Sequence, residues 1–128
     1  MRLPNVITIA MLLALQACSG PSTPAPQLRV INGGKEPIQS LTVVFPDSEV
    51  EFGDIPAGST TSYKVVPRGV YAYAAYRYKI GRVDVTQPVR DFVGASPMGR
   101  ARFSYRLEFD SSRTPRGVIS LVEVTNDG

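Results

Sequence analysis

The chain has 128 residues, a formal net charge of +3, a single cysteine and no histidine. Its length suits one domain, and 43% hydrophobic with 20% charged residues is the composition of a folded globular protein. Without histidine there is no Ser-His-Asp or Cys-His catalytic group and no imidazole metal site, and one cysteine cannot form an internal disulfide. The small positive charge does not favour nucleic acid as a partner. We therefore expect a protein that is not an enzyme and needs no cofactor.

The N-terminal residues have the organisation of a secretory signal peptide. Arg2 is the only charge before an apolar run at residues 6–15. That run has the length of a signal-peptide core and is too short to span a bilayer as a helix. The polar, proline-rich residues that follow argue against a buried core helix. We predict that residues 1–17 form a signal peptide.

Cys18 follows directly after Leu15-Gln16-Ala17. This pattern resembles the lipobox of bacterial lipoproteins, Leu-x-Ala/Gly-Cys. The resemblance implies a diacylglycerol on the Cys18 sulfur, cleavage before that residue and an acylated new amino group. Several acyl chains hold a protein firmly, whereas one alone binds only marginally. In that family an aspartate after the cysteine tends to retain the protein in the inner membrane, so Ser19 implies the periplasmic side of the outer membrane in a Gram-negative cell.

A short tether is predicted at residues 18–27. It contains three prolines, no charge and no large apolar side chain after Cys18. Proline-rich linkers favour extended polyproline II at about 3.1 Å per residue, so nine residues reach roughly 28 Å at most. We therefore expect the folded domain, residues 28–128, to lie close to the membrane surface.

The rest of the chain alternates with a period of two rather than with a helical period. In residues 102–109 the side chains of Phe103, Tyr105, Leu107 and Phe109 fall on one face, and polar side chains fall on the other. Further strands are predicted at residues 28–31, 41–45, 50–52, 60–66, 70–80, 83–86 with 89–92, and 118–125. Glycine, proline or asparagine separates them. Short strands at this spacing predict an all-β fold, a single antiparallel β-sandwich of about seven or eight strands.

Residues 52–63, Phe-Gly-Asp-Ile-Pro-Ala-Gly-Ser-Thr-Thr-Ser-Tyr, are followed by Val-Pro-Arg-Gly-Val-Tyr at 66–71. Together they resemble small bacterial immunoglobulin-like or transthyretin-like sandwiches, in which similar runs lead into successive strands. The chain also resembles lipoproteins of this size whose family implies no activity. The resemblance therefore supports the sandwich fold and assigns no function.

The segment from Tyr71 to Tyr78 is rich in tyrosine and alanine. Alanine favours a helix, but the glycines on both sides favour a strand with a β-bulge in its middle. On such a strand Tyr71 and Tyr73 share one face, while Tyr76 and Tyr78 share the other. These rings either fill the core or, if one face is exposed, form with Arg77 a surface that binds glycan or protein.

An acidic run contains Asp47, Glu49, Glu51 and Asp54. On a strand Glu49 and Glu51 point the same way, with Cα atoms about 6.6 Å apart. Carboxylates at that separation serve glycosidases, and loop carboxylates bind calcium. The simpler interpretation is the solvated side of an edge strand, because charges there discourage pairing with other chains.

Arginines accumulate toward the C-terminus. They are Arg90, Arg100, Arg102, Arg106, Arg113 and Arg116. Either they face anionic lipid headgroups or lipopolysaccharide near the anchor, or they are ordinary solvated side chains.

Taken together, these features predict a cell-envelope lipoprotein with a non-catalytic structural or protein-interaction role. The expected partners are the membrane, through Cys18, and another envelope protein or a component of the cell wall. The alternative is a glycan- or calcium-binding module at the envelope surface that uses the tyrosine segment or the acidic run.

Overall fold

The structure is a computed structural model that describes residues 24–89, 94–113 and 117–128. These residues form eight β-strands and no helix, which confirms the predicted all-β fold. The strands are β1 (Gln27–Asn32), β2 (Ile38–Phe45), β3 (Ser48–Ile55), β4 (Lys64–Val65), β5 (Ala75–Ile80), β6 (Val83–Gln87), β7 (Arg102–Asp110) and β8 (Val118–Asn126).

The eight strands form two sheets of four. The first sheet has the order β4-β1-β7-β8, and the second has the order β3-β2-β5-β6. Neighbouring strands are antiparallel except for β1 and β7, which run parallel over six residue pairs from Gln27–Arg102 to Asn32–Leu107. The prediction of a purely antiparallel sandwich is therefore wrong for the first sheet. Strands β1 and β7 are far apart in sequence, so no tight hairpin turn forces them to be antiparallel.

The two sheets pack on each other in a sandwich-like arrangement around one shared core. Phe45 of the second sheet meets Tyr105 of the first edge to face, with ring centroids 6.3 Å apart. Tyr78 meets Phe109 in the same way at 5.7 Å. The alternation predicted in β7 is confirmed except at Ser104, which is buried. Phe103, Tyr105 and Leu107 are buried and Phe109 is half-buried, whereas Arg102, Arg106 and Glu108 are exposed. The core includes the aromatic rings of Phe45, Tyr71, Tyr76, Tyr78, Phe103 and Tyr105.

Two predicted strands are shorter than expected. Within residues 60–66 only Lys64–Val65 forms a strand, together with an isolated bridge between Thr60 and Ile31. Within residues 70–80 the strand begins at Ala75, where a bulge was predicted. Before it, Tyr71 is buried and stacks on Phe45 with ring centroids 5.7 Å apart. Most of the predicted continuation at 89–92 lies outside the described residues.

One end of the sandwich is organised by the buried side chain of Asn32. Its Nδ2 donates hydrogen bonds to the carbonyl oxygens of Glu36, at 2.9 Å, and Ile55, at 3.0 Å. Its Oδ1 accepts a hydrogen bond from the Gly34 amide at 3.0 Å. The main chain of Asn32 also pairs with Ser59 and Gly58. One amide side chain thus joins the β1–β2 turn to the end of β3.

A second amide side chain joins the two sheets. Gln87, the last residue of β6, donates from Nε2 to the Ile119 carbonyl at 2.7 Å and accepts at Oε1 from the Ile119 amide at 2.9 Å. The Tyr78 hydroxyl also lies 3.1 Å from Gln87 Oε1. Gln87 therefore pairs with β8 much as the peptide group of a neighbouring strand would.

Candidate functional site

The described chain begins at one end of the sandwich, here called the tether end. Strands β1 and β7 both start there, and Gln27 pairs with Arg102. The Pro26 carbonyl accepts a hydrogen bond from the Val66 amide at 2.8 Å, and the Gln27 amide donates to the Ala101 carbonyl at 3.1 Å. The opposite end of β7, at Asp110, lies about 26 Å away at the usual rise of a strand. That opposite end, which also holds Asn32, is called the distal end.

A group of polar side chains lies on the outer face of the first sheet near the tether end. It consists of Arg29, Tyr63, Arg102, Ser104 and Asp127, and is called the Tyr63 cluster. The guanidinium carbons of Arg29 and Arg102 lie 4.9 and 5.1 Å from the centroid of the Tyr63 ring. Strands β1 and β4 are antiparallel, and Leu28 pairs with Lys64. Arg29, which follows Leu28, therefore lies beside Tyr63, which precedes Lys64. Both cations therefore lie against the same aromatic ring.

Hydrogen bonds fix the inner side of the cluster. Arg29 Nε donates to Ser104 Oγ at 2.8 Å, and Ser104 Oγ donates to Asp127 Oδ2 at 2.5 Å. The Tyr63 hydroxyl donates to the same carboxylate oxygen at 2.8 Å. The hydrogen bond from Ser104 is the main cause that lowers the pKa of Asp127, and the Tyr63 hydroxyl and the charges of Arg29 and Arg102 add to it against an opposing effect of burial.

This arrangement suits binding rather than nucleophilic chemistry. Ser104 is 2% exposed, its oxygen accepts from Arg29 and its proton points to Asp127, so the hydroxyl is held within the sheet surface. The two arginines differ from Ser104, because only part of each side chain is engaged. Arg29 donates a hydrogen bond from Nε to Ser104, and Arg102 donates one from Nε to the Gly128 carbonyl at 3.3 Å. Their terminal Nη atoms make no hydrogen bond to any residue that the structure describes. Planar guanidinium groups with free Nη atoms bind carboxylate or phosphate oxygens in pairs.

Acid is expected to destabilise the fold through Asp127. Its pKa is lowered in the folded state, whereas an aspartate in an unfolded chain has a pKa of about 3.9. Its stabilising contribution is therefore complete above that pH and is lost as the pH falls through the lowered pKa. Urea titrations between neutral and acidic pH should show a free energy of unfolding that falls below about pH 4, and less steeply in Asp127→Asn.

The matched control is Asp84→Asn, which changes an exposed aspartate on β6. It is expected to keep the pH dependence of the unmodified protein. The same dependence in Asp127→Asn and in the unmodified protein would contradict the assignment.

The predicted tyrosine surface does not form. Tyr71, Tyr76 and Tyr78 are 7%, 3% and 3% exposed, and their rings belong to the core. Burial raises the pKa of Tyr76 and Tyr78. Tyr73 is 38% exposed and Arg77 lies on the outer face of β5, so these two are the members that reach the surface. The core interpretation of the segment is confirmed for the three buried rings, since sheet packing takes the area that a binding face would have used.

The predicted acidic pair lies on an edge strand. Glu49 and Glu51 occupy exposed positions of β3, the outermost strand of the second sheet. Glu49 forms an ion pair with Arg77, and the Glu51 carbonyl accepts a hydrogen bond from Lys64 Nζ at 2.6 Å. This confirms the solvated edge that the alternation indicated.

The two aspartates of the acidic run lie near opposite ends of β3. Asp47 is exposed in the turn before β3, and Asp54 Oδ1 accepts a hydrogen bond from the Ser40 amide at 2.8 Å. Ser40 has a positive φ of 51°, at an irregularity in the β2–β3 pairing, so Asp54 supports a bulge. In the described ranges no three Asp, Glu, Cys or His side chains come together as a metal site would require.

The arginines of the C-terminal half lie at different places in the fold. Arg100 and Arg102 lie at the tether end, where Arg100 lines the grooves on both sides of Ala25. Arg106 lies over the β1–β2 turn, because its Nε is 2.7 Å from the point that a Cβ on Gly33 would occupy. Arg113 lies at the distal end. Arg90 and Arg116 lie outside the described residues, as do Cys18 and the predicted signal peptide at residues 1–17.

The distal end carries a cleft of about 410 Å³ between the β1–β2 turn and the β7–β8 hairpin. Charges of both signs line it, from Lys35 and Arg113 on one hand and Glu36, Glu108 and Asp110 on the other. Glu36 Oε2 accepts a hydrogen bond from the Ser111 amide at 3.0 Å, which ties the two sides together. The cleft is called the distal cleft.

Comparison of the chain with models of protein families, with curated proteins and with solved structures found no match. Across the three described ranges, no helix has the length and apolar character needed to cross a membrane.

Proposed function

We propose that the protein is a lipid-anchored protein of the bacterial envelope, held by Cys18, and that its sandwich acts by contact with another envelope protein or a wall component. The observation that carries the proposal joins sequence and fold. The lipobox-like Cys18 is followed after only eight residues by Gln27, the first residue of an inner strand. An immunoglobulin-like relationship and a place on the periplasmic side of an outer membrane belong to the same proposal.

The geometry supports a domain held near a membrane with one end toward it. Residues 19–26 span about 25 Å when fully extended as polyproline II. The chain then joins β1 at the tether end, between Val66 and Ala101. The distal cleft lies at the other end of β7 and is therefore the surface that faces away from the membrane.

The composition and the Tyr63 cluster support a role without catalysis. The sequence has no histidine, and the buried Ser104 hydroxyl already serves Arg29 and Asp127. The glycan- or calcium-binding alternative required an exposed tyrosine face or a free carboxylate group. Tyr76 and Tyr78 are buried and Asp54 supports a bulge, so no observation on the described residues favours that alternative.

Metabolic labelling with palmitate tests the anchor. We expect label on the unmodified protein and none on Cys18→Ser, because the thiol is the predicted acceptor. Ser22→Ala, in the same tether, should keep the label. Mass spectrometry should find a mature chain that begins at Cys18. Equal labelling of Cys18→Ser, or a purified chain that begins at Met1, would contradict the proposal.

Photocrosslinking in living cells tests the contact role. A crosslinking amino acid in place of Lys35, in the distal cleft, should give a defined protein adduct. The same group in place of Lys79, on the exposed face of the second sheet, serves as the control. Equal adducts at both positions, or none at Lys35, would count against a contact surface at the distal end.

A further inference from the structure

We propose that Arg29 and Arg102, both held against the ring of Tyr63, bind the phosphate group of an anionic membrane headgroup and so orient the sandwich on the bilayer. This inference rests on the proposed function, because that function supplies the membrane. It goes further by naming a ligand chemistry and the residues that recognise it.

The first reason is the way the two guanidinium groups are held. Each lies about 5 Å from the same aromatic ring, and each is held through its Nε atom. The pair is therefore ordered before any ligand arrives, which reduces the entropy lost on binding. The Nη atoms that remain are donors in the planar geometry that phosphate oxygens accept.

The second reason is the local charge. Asp127 is the carboxylate of the cluster, and both of its neighbouring hydroxyls, from Ser104 and Tyr63, donate to its Oδ2 atom. Its closest approach to Arg29 is 4.0 Å, so it does not form a tight pair with the guanidinium. The side chains of the cluster carry two positive charges and one negative charge, and Arg100 at the same end adds a further positive charge.

The third reason is position. Arg102 pairs with Gln27, the residue at which the tether becomes β1. Arg29 lies two residues further along the same strand, about 7 Å away. A membrane that holds the tether therefore lies within reach of the Tyr63 cluster. A basic side chain close to an anionic surface gains about fivefold in affinity, and its contribution falls off within a Debye length.

Three further arginines in the described ranges do not combine these features. Arg77 already pairs with Glu49, and Arg106 lies over the backbone at Gly33. Arg113 lies at the distal end, among carboxylates. Arg113 is thus a natural control, because it has the same charge in a place that would face away from the membrane.

The test uses the purified mature protein in neutral detergent micelles, with NMR detection of the arginine Nε–H signals. We expect the signals of Arg29 and Arg102 to shift saturably as phosphatidylglycerol is added, and to shift much less with phosphatidylcholine. Arg102→Gln should weaken the apparent affinity about fivefold, and Arg102→Lys should weaken it less because the charge is kept. Arg113→Gln should leave the affinity unchanged.

A titration with inorganic phosphate at the same concentration distinguishes a lipid headgroup from free phosphate as the ligand. A weaker shift with inorganic phosphate supports the headgroup, whereas an equal shift assigns the site to free phosphate and overturns the orientation on the membrane. Equal responses to the two lipids, or equal losses in Arg102→Gln and Arg113→Gln, would overturn the site itself. Because micelles present the headgroup whether or not Cys18 is acylated, failure of the anchor and failure of the site give separate results.

Discussion

Replacing Asn32 by aspartate is expected to destabilise the domain by more than about 3 kcal/mol at neutral pH. The amide nitrogen of Asn32 donates to the Glu36 and Ile55 carbonyls, and the residue is 0% exposed. A carboxylate would place negative charge against those two carbonyl oxygens in a fully buried site. Asn32→Ala, which removes the hydrogen bonds without adding a charge, should cost about 2 kcal/mol. Urea denaturation measures both.

The matched control is Asn126→Asp in the last residue of β8. Its side chain is exposed, and its Oδ1 accepts a hydrogen bond from the Gly128 amide at 2.9 Å, which a carboxylate oxygen can also do. We expect this variant to stay within about 0.5 kcal/mol of the unmodified protein. A transition midpoint of Asn32→Asp equal to that of Asn126→Asp would show that the Asn32 amide does not hold the distal end together.

Gly69→Ala is expected to cost about 2 to 4 kcal/mol, from two separate causes. Gly69 has a φ of +99°, which side chains rarely adopt, and a Cβ placed there would lie 2.5 Å from Pro97 Cβ. The substitution therefore adds backbone strain and forces apart the two segments that meet beside the tether end. Thermal or urea unfolding gives the size of the loss.

Gly81→Ala measures the backbone strain separately from the collision. Gly81 has a φ of +62°, and nothing lies within 4 Å of the Cβ position. Its substitution should cost about 1 kcal/mol from strain alone. In the double variant Gly69→Ala with Pro97→Gly, the part of the loss due to the collision should be recovered. Equal losses in Gly69→Ala and Gly81→Ala would mean that Pro97 moves away freely.

Patterns within a few residues correctly predicted the buried face of β7 and the edge position of β3. The alternation around Phe103 and Tyr105 fixed both the position and the buried face of β7. The charges at Glu49 and Glu51 identified β3 as an edge strand. Both inferences required only the period of two and the preference of charge for water, which act over a few residues.

The candidate site depended on pairing between distant segments and was not predicted. Arg29 occupies an outward position of a predicted strand, but nothing in the sequence places Tyr63 beside it. Ser104 reads as one polar residue among several on β7, and Asp127 as part of the chain's last residues. These residues meet because β1 lies between β4 and β7, and the parallel register of β1 with β7 was not expected.

The prediction that Tyr71 belongs to a strand was wrong for a related reason. Tyr71 was placed on a strand because of its neighbours, whereas it folds inward onto Phe45 and its carbonyl accepts a hydrogen bond from the buried Tyr105 hydroxyl. Burial of large rings outweighs the weak strand preference of the residues around them.

The parallel pairing of β1 with β7 has a mechanical consequence. A pull on Gln27 along the strand axis, away from the distal end, loads the ladder of six residue pairs in shear, so the hydrogen bonds must yield together. A pull across an edge strand would instead unzip its bonds one after another. Because β4 pairs with its other side, β1 resists tension that is applied through Gln27.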